Sequence, residues 1–196
     1  MAAPRELPDP QLMALASDAR ASHDAARLSF LAQGARGVPL LLKGLEDERL
    51  GLMAHGRILR ILGALGRQDT IAPIRAALRR ALDRDDPIVR AGAMEALACF
   101  RTSEAVGELI ALLDHPNKDV ARRAAVLAGQ TRAPAVLVPL HRLLESDDAS
   151  LRHAAAVGLI GMDDAAARAA LGGHLAQETD DALRTLIRAA IGGATR

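Results

Sequence analysis

Residues 86–97 read DPIVRAGAMEAL, and related stretches follow as KDVARRAAVLA at residues 118–128 and DDASLRHAAAVGL at residues 147–159. The first large apolar position shared by the three stretches is Val89, Val120 or Leu151, and the spacing between successive members is the same. Each stretch is rich in Ala, Leu and Arg, which are good helix formers. A fixed period of about 31 residues predicts an array of helical repeats that bury their apolar faces against one another.

A second apolar row keeps the same period between these stretches. It consists of Val106, Leu109 and Leu113, followed one period later by Leu137, Leu140 and Leu144. The spacing of three and four residues places each triplet on one face of a helix. We therefore predict two helices per repeat, with both rows in a shared core. Looser spacing extends the pattern upstream, because Leu65 precedes Leu97, and Ile74 precedes Val106, by slightly more than one period.

The order of these motifs resembles HEAT repeats. Asp-Pro-x-Val-Arg, then Ala-x-x-Ala-Leu, a turn and Ala-Val-x-x-Leu-x-x-Leu-Leu is most similar to the short bacterial form, also called PBS-lyase HEAT-like repeats. The resemblance is clearest over residues 85–175. It implies an all-α fold, an α-solenoid that forms a right-handed superhelix of about five HEAT-like helix pairs with flanking capping helices.

The predicted organisation is a flexible N-terminus at residues 1–9 and one HEAT-like repeat domain at residues 10–196. The predicted units lie approximately at 22–46, 47–83, 86–114, 117–145 and 148–176, with a capping helix at 180–192. Predicted helix caps are Asp69 or Thr70, Asp86 before Pro87, Thr102 or Ser103, Asp148, and Asp163 or Asp164. Pro139 conflicts with a helix that starts near Pro134, so that helix is either kinked or begins later.

Acidic and basic residues recur together at the starts of the first helices. The pairs are Asp86 with Arg90, Asp148 with Arg152, and Asp181 with Arg184. The resemblance to HEAT repeats implies a structural role for them, capping helices and bridging successive repeats.

The composition favours a helical protein in a reducing compartment. Trp and Tyr are absent, whereas strands favour aromatic and β-branched side chains. The formal net charge of +1 argues against nucleic acid as a partner, because phosphate binding needs a cationic surface. Cys99 is the only cysteine, so no intrachain disulfide can form, and we expect a buried, inert thiol. No apolar run suits a bilayer span or a secretory signal, so we expect a soluble cytoplasmic protein without membrane contact.

The polar residues show no catalytic or metal-binding pattern. None of the six histidines has a second histidine four residues away, as a zincin helix requires. The deoxyhypusine hydroxylases, which have similar HEAT-like repeats, bind two metals through His-Glu pairs, and this sequence contains no His-Glu dipeptide. A Gly-rich phosphate loop is also absent. We therefore expect no metal, no cofactor and no enzymatic activity.

The resemblance implies that the second helix of each pair lines the concave surface. Aligning these helices by the period places Lys43, Arg79, Ala111, Arg142 and Gly173 at one outward position, one turn after Pro39, Arg75, Gly107, Val138 and Ala169. The predicted partner-binding residues are Lys43, Arg75, Arg79, Glu108 and Arg142, with Glu108 interrupting a basic row. A solvated helical face without a partner is the alternative interpretation.

These observations favour a non-catalytic scaffold or adaptor that binds another protein on the concave face. A shallow basic groove suits an acidic or amphipathic segment, and homo-oligomerisation stays open. The alternative is a lyase-like or chaperone-like subunit related to the HEAT proteins that handle phycobilisomes and bilins, although no residue here marks a bilin pocket.

Overall fold

The computed structural model describes residues 9–192, and all regular secondary structure within this range is helical. The α-helices, numbered in chain order, are α1 (Pro10–Ala16), α2 (Arg20–Gln33), α3 (Val38–Glu46), α4 (Gly51–Leu65), α5 (Ile71–Asp83), α6 (Pro87–Ala98), α7 (Ser103–Ala111), α8 (Lys118–Gln130), α9 (Leu137–Leu144), α10 (Ala149–Met162), α11 (Ala165–His174) and α12 (Asp181–Gly192). The all-α prediction is confirmed. No helix among these residues is both long and apolar enough to cross a membrane.

The chain divides into two compact units, Met1–Cys99 and Phe100–Arg196. The first unit contains α1 to α6 and the second contains α7 to α12. The predicted flexible N-terminus falls on residues 1–8, outside the described residues, and on Asp9, which caps α1. The single repeat domain and its unit boundaries stay a prediction.

The first unit buries the apolar sides of its helices around closely packed first helices. Leu41 of α3, Leu59 of α4 and Ile74 of α5 are completely buried. Helices α4 and α6 approach so closely that a Cβ added at Gly63 would lie 2.5 Å from the Cα of Ala96. Real Cβ atoms essentially never approach that closely, so the small residues at this crossing are what allows the packing.

The second unit follows the same design with α8 against α10. The predicted apolar row is buried at five of its six positions, with Leu137 half-buried, and Leu171 of α11 is completely buried one period after Leu140. A Cβ added at Gly129 would lie only 2.0 Å from the carbonyl oxygen of Gly158. The two helix backbones are therefore in contact at this crossing.

Most of the predicted caps are present. The carboxylate of Asp86 accepts hydrogen bonds from the N–H groups of Ile88 and Val89, and Thr102, Asp148 and Asp164 cap α7, α10 and α11 in the same way. Each cap satisfies N–H groups that have no partner within the helix.

Two sequence expectations at helix starts are settled by local geometry. The predicted cap at Asp69 or Thr70 is wrong, because Thr70 already has helical backbone angles and its hydroxyl donates back to the carbonyl of Arg67. For Pro139, the second alternative is confirmed. Residues Pro134–Val136 form a 3-10 turn and α9 begins at Leu137, so Pro139 lies in the first turn, where its missing N–H has no helical partner to lose.

Candidate functional site

The second helices of the repeats are α3, α5, α7, α9 and α11. They carry a row of exposed residues at the positions that the repeat period aligns. In the first unit, Lys43 of α3 and Arg79 of α5 are exposed, and Arg75 is half-buried one turn before Arg79. Lys43 lies in the last turn of α3, where a cation also interacts favourably with the helix dipole. The first unit therefore presents positive charge on the outer sides of both α3 and α5.

The corresponding row in the second unit is electrostatically mixed. Arg142 of α9 is exposed, but one of its terminal nitrogens lies 2.7 Å and 2.8 Å from the two carboxylate oxygens of Asp114. Glu108 of α7 is half-buried. Val138, one turn before Arg142, is 75% exposed, the largest exposure among the large apolar residues described. The face of the second unit therefore offers apolar surface and compensated charge in place of a basic stripe.

The first unit also contains a cleft of about 420 Å³ between α3 and α5. Its apolar lining includes Leu42 and Leu45 of α3, Leu52 of α4, and Pro73 and Ala76 of α5. Leu52 is 49% exposed, so the cleft offers accessible apolar surface. The volume lies within the range of about 300–1,000 Å³ that is common for ligand-binding clefts.

Opposite charges line the two walls of this cleft. Glu46 and Glu48 belong to the end of α3 and the turn after it, and Arg80 and Arg84 belong to the end of α5. All four are exposed, and within residues 9–192 none of them forms an ion pair. The cleft therefore keeps anionic and cationic groups on separate sides of an apolar floor.

Sequence reasoning missed Arg80 and Arg84 as site residues. It aligned α5 by repeat register and chose Arg75 and Arg79. Consecutive helical residues point about 100° apart, so Arg79 and Arg80 serve different sides of α5, and only Arg80 lines the cleft. The available signal was the spacing of Ala76, Arg80 and Arg84, which places all three on one stripe.

A buried polar cluster joins α10, α11 and the turn before α12 in the second unit. The Glu178 carboxylate accepts hydrogen bonds from the Nε and Nη2 groups of Arg152, from His174 Nε2 at 2.8 Å, and from the N–H groups of Thr179 and Asp180. The side chain of Glu178 is 1% exposed. Arg152 first, and the hydrogen bonds from Asp180, His174 and Thr179 in addition, lower the pKa of Glu178 to about 2.

The hydrogen bonds of this cluster hold α10 and α11 to the turn before α12, which is a structural role. The second terminal nitrogen of Arg152 donates to the carbonyls of Ser146 and Asp147, and the amide of Gln177 lies 3.2 Å from His174 Nδ1. With Nδ1 accepting from Gln177, His174 Nε2 carries the proton that it donates to Glu178. A depression of about 470 Å³ with mostly polar lining lies beside the cluster. Sequence reasoning missed Glu178, because this residue lies in the turn between α11 and α12, where alignment of the repeat helices gives no signal.

Of the three predicted acidic and basic pairs, Asp181 with Arg184 is present at 3.8 Å, whereas the residues of the other two pairs have different partners. Arg90 pairs with Asp85 at 2.9 Å, and Arg152 bridges forward to Glu178, as described above. Asp148 pairs with Lys118 of α8, which lowers the pKa of that carboxyl well below its usual range. Arg60 of α4 likewise pairs with Glu95 of α6. Successive first helices are therefore linked within each unit.

Cys99 departs from its predicted environment. It is exposed, because it follows the last residue of α6. Although the residue as a whole is exposed, neighbouring groups partly desolvate its sulfur, which raises the pKa of the thiol, and the Glu95 carboxylate is a second cause. The thiol therefore stays protonated at neutral pH, and a protonated thiol is a weak nucleophile. Within residues 9–192, no group of three or more potential metal ligands occurs.

Comparison with known proteins gives a family match over most of the chain. The family model for HEAT repeats matches residues 38–128 and 106–192, which confirms the predicted resemblance and the fold class of an α-solenoid of HEAT-like helix pairs. Among solved structures, the complex of CpcE and CpcF of phycocyanin lyase from Nostoc sp. PCC7120 is similar over 92% of this chain and 96% of that chain, with 23% sequence identity and a TM-score of 0.45. No curated protein matches the chain.

Proposed function

Because this chain belongs to the HEAT repeat family, we propose that it is a non-catalytic scaffold that binds a partner protein on the exposed face of its second helices. The proposed contacts are Lys43, Arg75 and Arg79 in the first unit, and Glu108 and Arg142 in the second. The partner would present an acidic or amphipathic segment. The single cysteine fits a reducing compartment such as the cytoplasm.

The observation that carries this proposal is the pattern of exposure along the second helices. The positions equivalent to Lys43 are exposed in every one of these helices, and they alternate with positions that are completely buried, such as Leu41 and Leu140. Small residues, Ala111 and Gly173, occupy two of the exposed positions. A helix face of this kind leaves room for the backbone of a partner segment to approach.

The buried polar groups support a structural rather than a catalytic role. Glu178, Arg152 and His174 are engaged with one another and with backbone groups, and the pKa of Glu178 is lowered, which keeps this carboxylate from taking up a proton near neutral pH. Two of the basic residues on the proposed face, Lys43 and Arg142, lie at exposed positions, where charge guides association and selects partners.

The pair between Arg142 and Asp114 is compatible with partner binding. Both side chains are well exposed, at 65% and 70%. An exposed ion pair contributes about 0–1 kcal/mol, so exchanging Asp114 for an acidic side chain of the partner costs little. Arg142 is therefore a contact that forms when the partner arrives.

The test is affinity capture from the native lysate with the wild-type protein beside Arg75→Glu/Arg79→Glu. We expect a specific protein whose retention falls about tenfold in the variant, with the loss shrinking at high salt. The matched control is Arg20→Glu/Arg27→Glu on α2, which changes the net charge equally on a first helix. Circular dichroism of each variant checks that helicity is unchanged.

Three results would contradict the proposal in different ways. Equal loss in both variants would mean that net charge, not the second-helix face, governs binding. If both variants retain the partner as the wild type does, the binding site lies elsewhere on the protein. If no specific protein is captured, the result favours the lyase-like or chaperone-like alternative.

A further inference from the structure

The cleft between α3 and α5 differs from the rest of the second-helix face in both shape and charge. Its apolar lining includes Leu42, Leu45 and Ala76 together with the partly exposed Leu52. The contacts proposed above for the first unit, Lys43, Arg75 and Arg79, do not line it. An apolar depression on an otherwise charged face is the usual place for the anchor residue of a binding segment.

The unpaired charges on its walls define the chemistry of the occupant. Glu46 and Glu48 stand on one side, Arg80 and Arg84 on the other, and no ion pair joins the two sides within the described chain. A purely acidic segment would satisfy the arginines and be repelled by the glutamates, and a purely basic one would do the reverse. Only an occupant that carries both signs complements both walls.

We infer that this cleft is the docking site for an amphipathic segment of a partner protein that inserts apolar side chains between α3 and α5, presents an acidic side chain to Arg80 and Arg84, and presents a basic side chain to Glu46 and Glu48. The inference rests on the proposed scaffold function and makes it more specific, because it names the anchor site and the charge pattern of the partner. Helical segments with apolar residues at three- and four-residue spacing meet these needs, since they expose charges on both flanks of the apolar stripe.

The neighbouring groups are compatible with such an occupant. The Asp47 carboxylate is engaged by Arg49, whose hydrogen bond lowers the pKa of Asp47, and the Asp86 carboxylate caps α6. His55 Nε2 lies 3.1 Å from the carbonyl oxygen of Asp47. These groups are held by the protein itself, so Glu46, Glu48, Arg80 and Arg84 are the charges on the walls that the partner meets.

The experiment places a photo-crosslinking residue at Leu52 or Ala76 inside the cleft, and at Lys43 or Val138 on the second-helix face outside it, in the full chain. After irradiation in the native lysate, the crosslinked peptide is sequenced by mass spectrometry. We expect crosslinks from Leu52 and Ala76 to a segment with apolar residues flanked by at least one acidic and one basic residue.

The captured segment, made as a synthetic peptide, then tests the charges directly. We expect Arg80→Glu/Arg84→Glu and Glu46→Lys/Glu48→Lys each to weaken its binding about tenfold, while Arg20→Glu/Arg27→Glu on α2 leaves it unchanged. Reversing the acidic residue of the peptide to lysine is expected to restore binding to Arg80→Glu/Arg84→Glu. This rescue separates a direct contact from a general loss of structure.

The outcomes distinguish the cleft from the broader scaffold proposal. Crosslinks from Lys43 or Val138 without any from Leu52 or Ala76 would overturn the cleft inference and leave the scaffold proposal standing. Capture in the cleft of a second copy of this chain, or of a segment with charges of one sign, would also overturn the inference. No crosslinked protein at any of the four positions would overturn both.

Discussion

Adding one methyl group at Gly129 is expected to destabilise the second unit, although alanine is the better helix former. The new Cβ would lie 2.0 Å from the carbonyl oxygen of Gly158, whereas ordinary contacts begin at 3.4 Å. Helices α8 and α10 would therefore have to separate locally by the difference between these two distances, because a backbone carbonyl cannot rotate away as a side chain can.

The expected net cost of Gly129→Ala is about 2 kcal/mol. Overpacking of this kind costs about 1–3 kcal/mol, and contact with rigid backbone places this site at the upper end. Replacing a helical glycine by alanine returns about 1 kcal/mol. The assay is urea unfolding followed by circular dichroism at 222 nm, since the chain has no Trp or Tyr for fluorescence. With a slope of about 2 kcal/mol per M, the midpoint should fall by about 1 M.

Gly107→Ala is the matched control. Gly107 lies inside α7, and a Cβ added there meets nothing within 4 Å. We expect this substitution to stabilise the protein by about 0.5–1 kcal/mol through helix propensity alone. If Gly129→Ala raised the midpoint as Gly107→Ala does, the backbone contact between α8 and α10 would be refuted.

The remaining predictions concern the core, the buried carboxylate and a helix cap. Leu109→Ala, at a completely buried site, should lower the free energy of unfolding by about 2–5 kcal/mol, whereas Leu28→Ala, at a 62% exposed site, should change it by less than about 1 kcal/mol; equal effects would remove Leu109 from the core. Glu178 has a pKa lowered from 4.5 to about 2, so its stabilisation of about 3 kcal/mol is present above pH 4.5 and is lost as the pH falls towards 2. The stability deficit of Glu178→Gln in urea should therefore be greatest near pH 7 and shrink below pH 4.5, and a deficit independent of pH would contradict the hydrogen-bond assignment. Asp86→Ala should cost about 1 kcal/mol, measured by the same unfolding assay, through loss of the cap on α6; an unchanged midpoint would show that the cap contributes nothing.

The core of this protein could be predicted because apolar residues recur at the buried positions with a fixed period in the sequence. Leu109, Leu140 and Leu171 occupy equivalent positions of successive repeats and are all completely buried. Small residues at Ala93, Ala124 and Ala155 recur with the same period and are completely buried where the first helices pack closely together. Each constraint repeats with the period, so one repeat predicts the next.

The polar interactions could not be predicted in the same way, because each depends on one unrepeated neighbour. Arg142 meets Asp114 across 28 residues of sequence, and Arg152 meets Glu178 across 26. Neither separation matches the repeat period, so alignment of repeats does not reveal them. The cleft was missed for a related reason. Arg80 lines a space between two helices, whereas alignment by the repeat period compares equivalent positions on single helices.

Acetylation of lysine side chains can test the central claim directly, since Lys43 and Lys118 are the only lysines in the sequence. Lys43 lies on the proposed binding face of α3, and Lys118 begins the first helix α8. Both are exposed, so both should acetylate in the free protein. The decisive measurement is the acetylation rate of each lysine, by mass spectrometry, in the free protein and in the complex with the captured partner. The proposed function predicts that the partner protects Lys43 and leaves Lys118 reactive; protection of Lys118 with Lys43 unchanged would contradict it.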